Sequence, residues 1–274
     1  MASPLPSPLV DTLAYFAKYN YPLTDEELWF WQHGTQISKA EIAKSCKLKA
    51  VSSLRKQRKL FSEQKWLIAK RVGERLQKIL FIEAIFVTGA LAMNNCPADD
   101  DIDMMIITAP HTLWLTRILT LYSLGSLRRR SGLPHTHPLA SNKICDNLYL
   151  DLNHLSIPYK LKADSYQLYM AHEILQAKCL FDRGGIHCLF LEFNSWAKSY
   201  LPVAYRESLR PLRFSPKSYK LKAINYLLWP LNLLAFVLQF AYMKPKMTSE
   251  KVGLGFAFFH PHTKTSQFEK HFRS

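Results

Sequence analysis

Cysteine is scarce and unpatterned in this chain. Five occur, Cys46, Cys96, Cys145, Cys179 and Cys188, an odd number with no Cys-x-x-Cys pair. Neither a disulfide framework nor a zinc ribbon is indicated, and the pattern suits a reducing compartment. His135 and His137 stand in a loop without a matching ligand set and read as polar loop residues. Acidic residues are also few, 21 Asp and Glu against 36 Lys and Arg, for a formal charge of +15. Such a surface attracts polyanions: nucleic acid, nucleotides or anionic lipid. No internal repeat or long low-complexity segment is visible. The start, Met1-Ala-Ser-Pro-Leu-Pro-Ser-Pro8, lacks the basic and apolar regions of a signal peptide, so a cytoplasmic location is expected.

What is present is a chain of 274 residues, 48% hydrophobic and 13% aromatic. That composition is globular, and the length accommodates two modest domains. The most informative stretch is Val87 to Thr108. It reads as the end of an apolar strand, a turn at Gly89, a helix start of small residues, and a second apolar strand opened by Asp101-Ile-Asp103. Side chains alternate along a strand, so Asp101 and Asp103 point to one face. Two adjacent carboxylates repel each other, and a divalent cation removes that repulsion. Gly89 and Ala90 can bring backbone N–H groups close to a phosphate. Asp99 and Asp100, after Pro97-Ala98, read as an ordinary turn.

These residues resemble the signature of the DNA polymerase beta-like nucleotidyltransferase superfamily. That signature is an apolar strand, Gly followed by Ser or Gly, roughly ten residues, then Asp-x-Asp in an apolar strand. Gly89, the spacing and both aspartates match; Ala90 departs from the usual hydroxyl residue or Gly. Tyr21-Pro-Leu-Thr-Asp-Glu-Glu27, Ala171-His-Glu-Ile-Leu175, Phe181-Asp-Arg183, Tyr242-Met-Lys-Pro-Lys246 and Phe256-Ala-Phe-Phe-His-Pro261 are similar to segments of bacterial nucleotidyltransferase-domain proteins. The resemblance implies transfer of a nucleoside monophosphate from an NTP, with release of pyrophosphate. Asp101 and Asp103 would hold Mg²⁺ or Mn²⁺, and Thr88, Gly89 and Ala90 would hold phosphate oxygens. The superfamily needs a third carboxylate on a later strand. Asp151, within the strand candidate Leu148 to Leu155, is the first choice as third metal ligand and activator of the acceptor; Asp146 is the second.

The expected fold is α+β: a small mixed sheet with flanking helices over residues 76–160, preceded by a winged-helix-like module (1–75) and followed by a helical domain (161–274). Two capping boxes, Thr24 with Glu27 and Ser38 with Glu41, open helices in the first module. A third helix is expected over Lys49 to Lys59, with Leu60-Phe-Ser-Glu and Trp66-Leu-Ile-Ala as the strands of a short wing. Val72 to Ile79 reads as a linking helix. Strands are expected at Ile82 to Val87 and Asp103 to Thr108, and a helix at His111 to Arg130. The segment Lys39–Lys78 carries 13 Lys and Arg against Glu41, Glu63 and Glu74. Arg55-Lys-Gln-Arg-Lys59 within it is a candidate for phosphate-backbone contact with nucleic acid.

Ala223 to Met243 holds no charge over 21 residues, bordered by Lys217, Lys220, Lys222, Lys244 and Lys246. Asn225, Asn232 and Gln239 recur every seven residues along one helical face. A buried core helix, bent at Pro230, is expected in preference to a membrane segment. Phe256 to Pro261 is expected to pack back onto the core, with His260 structural. The leading expectation is thus a metal-dependent nucleotidyltransferase with an open choice of acceptor. The alternatives are a non-catalytic nucleotide-sensing regulator that binds nucleic acid, and a membrane-surface protein.

Overall fold

Strand β2 (Ile102–Thr108) is buried along its whole length and β1 (Ile82–Val87) at every position except Glu83. Strands covered on both faces read as unbroken apolar runs, which is why both were legible from sequence. The computed structural model describes residues 6–45, 48, 52–129, 138–157, 164–212, 223–248 and 250–259. His135, His137 and His260, assigned above, lie outside the described residues, as do Lys217, Lys220 and Lys222.

The fold is α+β, built on an open mixed sheet. Its six strands run in the order β4 (Lys178–Asp182), β1, β2, β3 (Ile144–Asp151), β6 (Phe256–Phe258), β5 (Lys251–Val252). Among the described residues, the β2–β3 pair is parallel and the other strand pairs are antiparallel. One face carries Phe86, Met105, Ile107 and Leu150. It is covered by α1 (Ser7–Ala17), α2 (Asp25–Trp31), α7 (Asp164–Gln176), α8 (Ile186–Phe193) and α9 (Pro202–Leu209). The other carries Ile85, Val87, Met104, Ile106 and Tyr149 beneath α4 (Ser53–Leu76), α6 (Leu113–Leu124) and α11 (Trp229–Met243). A second short helix, α3 (Lys39–Ser45), follows α2, and α5 (Gly89–Ala92) follows β1.

Both capping boxes form. Thr24 Oγ1 accepts from Glu27 N at 3.2 Å and Thr24 N donates to Glu27 Oε2 at 2.9 Å. Ser38 and Glu41 repeat the exchange at 3.3 and 2.9 Å. The expected wing does not form. Leu60-Phe-Ser-Glu, Trp66-Leu-Ile-Ala, and most of the expected helices on either side lie in the single 24-residue helix α4. Its inward stripe is Ser62, Lys65, Ala69, Val72, Gly73 and Leu76. Two of those positions are polar, while Leu60 and Leu67 face solvent, so the helical period was masked in the sequence.

The basic run is partly spent inside the molecule. Arg55 pairs with Glu27 and donates to Tyr21 Oη at 2.7 Å. Arg58 donates to Tyr19 O at 3.0 Å and to Asn95 Oδ1 at 3.2 Å. These two arginines therefore pin α4 to the first helices rather than lining a free cationic face.

The stretch after residue 160 is not purely helical, because β4, β5 and β6 join the sheet from it. The Ala223–Met243 expectation is also corrected. It splits at Leu228 into α10 (Ala223–Leu227) and α11. Asn225 and Asn232 do face inward, but most of the leucines face outward. Among the described residues no helix is long and apolar enough to cross a membrane.

The N-terminal helices are fastened to α7 by a buried histidine pair. His33 Nε2 and His172 Nε2 lie 3.1 Å apart, and Tyr15 stacks on His172 with ring centroids 4.2 Å apart. Gln176 Nε2 lies 3.3 Å from His172 Nδ1, which leaves His172 Nε2 to donate to His33. Burial pushes His33 down to about 4 and His172 well below its ordinary value. An unfolded chain takes up these protons near pH 6.5 and the folded one refuses them, so stability is full above that value and falls as pH drops toward 4. For His33 the loss is about 3 kcal/mol. Urea unfolding at neutral pH and near pH 4 should show a smaller acid loss in His33→Gln than in the wild type.

Candidate functional site

Asp101 and Asp103 are 2% and 7% exposed at the start of the central strand. Gly89 faces them. Its φ is +64°, and a Cβ built there would lie 2.5 Å from Asp103 Oδ2. Both facts demand glycine: a left-handed conformation penalises any side chain, and the carboxylate occupies the space one would need. Thr88 N donates to Asp103 O at 3.0 Å, which closes the turn onto the strand. Ala90 is half-buried against the second core. The structure therefore brings Gly89 and both aspartates together as the sequence led one to expect, with Thr88 and Ala90 on either side of the glycine.

Neither candidate for the third carboxylate stands beside the pair. β2 and β3 are parallel, with Asp103 level with Cys145 and Thr108 level with Asp151. Asp151 is thus five residues along the strand from Asp103, roughly 16 Å away. It accepts from Asn153 N at 2.9 Å and lies 2.7 Å from His154 Nδ1, so it organises the turn that ends β3. Asp146 fails for a different reason. It pairs with Met104, whose side chain belongs to the other face of the sheet. There Asp146 meets Arg128 Nε at 2.5 Å and accepts from Tyr149 Oη at 3.0 Å.

Three residues that the sequence reading left out surround the pair. Cys145 Sγ and carboxylate oxygens of Asp101 and Asp103 all lie within 4.8 Å of one another. Asn147 Nδ2 donates to Asp103 Oδ1 at 2.7 Å. Arg129 Nε lies 3.0 Å from Asp101 Oδ2, with both side chains buried. Asn147 reaches Asp103 through a bulge. The register runs Met104 with Asp146, then Met105 with Leu148, which leaves Asn147 as the extra residue of β3. A bulge re-aims a side chain and reverses the alternation beyond it. Arg128 bridges to Ile144 and Arg129 N donates to Ile144 O at 2.8 Å, so the arginines run beside the start of β3. Arg128 serves one face of the sheet and Arg129 the other.

The loop before Asp101 is clamped from α4. Lys65 is almost wholly buried, and its Nζ donates to Asp100 O at 2.6 Å, Asn142 Oδ1 at 2.9 Å and Ala98 O at 3.2 Å. Burial lowers its pKa against the pull of Asp100, Asp101 and Asp99. Tyr169 of α7, wholly buried and hydrogen-bonded to Glu173, has its pKa raised well above the ordinary value by burial first, then by Glu173 and Tyr19, with a smaller contribution from Asp103.

Asp101 and Asp103 fit a hard divalent cation, since two carboxylate oxygens converge where desolvation otherwise penalises negative charge. Cys145 fits such an ion poorly. Sulfur is a soft ligand that suits zinc or copper rather than Mg²⁺, and burial, then Asp103 and Asp101, push the Cys145 thiol well above the ordinary range.

The close approach of Gly89 and Asp103 has a measurable consequence. Gly34 also has positive φ, +57°, but nothing lies within 4 Å of a Cβ built there. Gly34→Ala should lose about 1–2 kcal/mol, the conformational cost alone. Gly89→Ala should lose at least about 1 kcal/mol more, because Asp103 must be displaced from its bond to Asn147. Equal losses in urea unfolding would show that Asp103 gives way freely.

Comparisons with protein-family models, with curated proteins and with solved structures found no match. The chemistry of the site has to be read from these carboxylates, the thiol, the amide and the arginine themselves.

Proposed function

We propose that the chain binds a nucleoside triphosphate with Mg²⁺ or Mn²⁺ at Asp101 and Asp103 and transfers its nucleoside monophosphate to an acceptor, releasing pyrophosphate. The observation that carries this reading is the buried aspartate pair set against the positive-φ glycine turn. A glycine turn lets phosphate approach the backbone, and the carboxylates supply the oxygen ligands. The cation, when bound, neutralises charge on the phosphate oxygens. Asp101 and Asp103 hold it. Asn147 fixes the orientation of the Asp103 carboxylate, and Arg129 balances Asp101. Lys65 holds the backbone of residues 98–100 so that both aspartates keep their places. Asp151 has no part in this scheme, being at the far end of β3.

A second reading is nucleotide binding without turnover, in a sensor. The residues of β3 beside Asp103 are Cys145 and Asn147. Neither is a base at neutral pH, so deprotonation of an acceptor hydroxyl has no carboxylate assigned to it on this strand.

The two aspartates serve differently as probes. Asp101→Asn leaves the buried Arg129 without its partner charge and should cost about 3 kcal/mol of stability. Asp103→Asn keeps an acceptor for Asn147 and should fold normally. Calorimetry with each NTP, with and without Mg²⁺, should give metal-dependent binding in the wild type and none in Asp103→Asn. Pyrophosphate release by the wild type should disappear in the same variant. Binding indifferent to Mg²⁺ and to Asp103→Asn would sink the assignment; binding intact without pyrophosphate release in any condition would select the sensor.

A further inference from the structure

Helix α11 is amphipathic in the reverse of the usual sense. Its amide side chains face the protein and most of its leucines face out. Asn232 Oδ1 accepts from Trp114 N at 2.8 Å and from Leu115 N at 3.2 Å, which satisfies the first turn of α6. Thr112, at the N-cap position of α6, makes no side-chain cap of its own. Gln239 Oε1 accepts from Arg117 Nη1 at 2.6 Å, and Gln239 Nε2 donates to Trp114 O at 3.0 Å. These bonds fix the rotation of α11. With the amides turned inward, Leu231, Leu234, Leu238 and Tyr242 form an outward stripe of α11 at helical spacing, 53%, 55%, 62% and 70% exposed, and Leu227 at the end of α10 is 77% exposed. Helix α6, on which α11 packs, also exposes Ile118, Leu119 and Tyr122.

Scattered exposed leucines are ordinary, but a continuous charge-free stripe marks an interaction surface. We propose that this stripe docks the protein on an anionic membrane surface, lying in the interface rather than crossing it. Helix α11 has 15 residues, roughly 22 Å of helix, too short for a hydrocarbon core of about 30 Å. Its ends carry the groups that favour the headgroup layer. Trp229 begins it and Tyr242 stands near its end, both exposed. Lys244 and Lys246 follow, exposed, with Lys246 Nζ 3.8 Å from the centre of the Tyr242 ring. Aromatic rings and lysines at the boundary of an apolar face are the arrangement that anchors interfacial helices, and the cations select anionic lipid. The net charge of +15 acts in the same direction.

Sedimentation of the full chain with vesicles tests this, using phosphatidylcholine alone and phosphatidylcholine containing phosphatidylserine. The wild type should partition onto the phosphatidylserine vesicles and less onto the neutral ones. Leu234→Glu with Leu238→Glu should lower that partition roughly tenfold or more, with an unchanged melting temperature because both positions are exposed. Lys244→Gln with Lys246→Gln should lower it on anionic vesicles by roughly fivefold per charge. Protein that remains in the supernatant with anionic vesicles overturns the proposal, as does sedimentation that survives the double Glu variant. Light scattering covers the rival occupant. A wild-type dimer that the double Glu variant dissociates, with no vesicle binding, would make the stripe a contact between copies and membrane docking wrong.

Discussion

Placing two carboxylates at the start of a strand buried on both faces is the constraint around which this molecule is organised. Neither charge can be left in the interior alone, because the desolvation penalty exceeds what isolated hydrogen bonds return. The protein answers with separate devices from different parts of the chain. Arg129 meets Asp101 and Asn147 meets Asp103. Lys65, from a helix more than thirty positions upstream, holds the carbonyls of residues 98 and 100. Gly89 makes room by having no side chain.

The parts of this arrangement that were legible in sequence are those encoded locally. The capping boxes of Thr24 and Ser38, the strand Ile82–Val87, the glycine turn and the Asp-x-Asp pair each depend on residues within a few positions of one another. The parts that were not legible depend on register. Asp151 is six residues from Cys145, so unbroken alternation would put it on the same face. The extra residue Asn147 reverses that parity, and the parallel pairing with β2 carries Asp151 away from the aspartates along the strand. Nothing in Asn-Leu-Tyr-Leu-Asp distinguishes a bulged strand from a regular one. Arg129 was missed because a basic helix end looks solvated unless its buried partner is known.

Helix α4 and helix α11 show the same limit from opposite sides. In α4 the buried stripe includes Ser62 and Lys65 while leucines face solvent, so hydrophobic period misidentified a helix as strands. In α11 the amide period was read correctly and the conclusion about burial was not. Regular polar positions on an apolar helix say which face has specific partners. They do not say what covers the remainder. Asn232 binds free N–H groups at the start of α6, and that bond is stronger in orienting effect than the non-directional preference of leucine for burial.

The helix that α11 packs on also leads toward the aspartates. Helix α6 begins a few residues after β2 and leads through Gly125–Leu127 to Arg128 and Arg129. The amides of α11 hold its first turn, Arg117 joins Gln239 in its middle, and Arg129, five residues past its end, meets Asp101. One continuous run of chain, α6 and the turn Gly125–Leu127 after it, thus carries both the groups that orient α11 and the arginine that offsets Asp101.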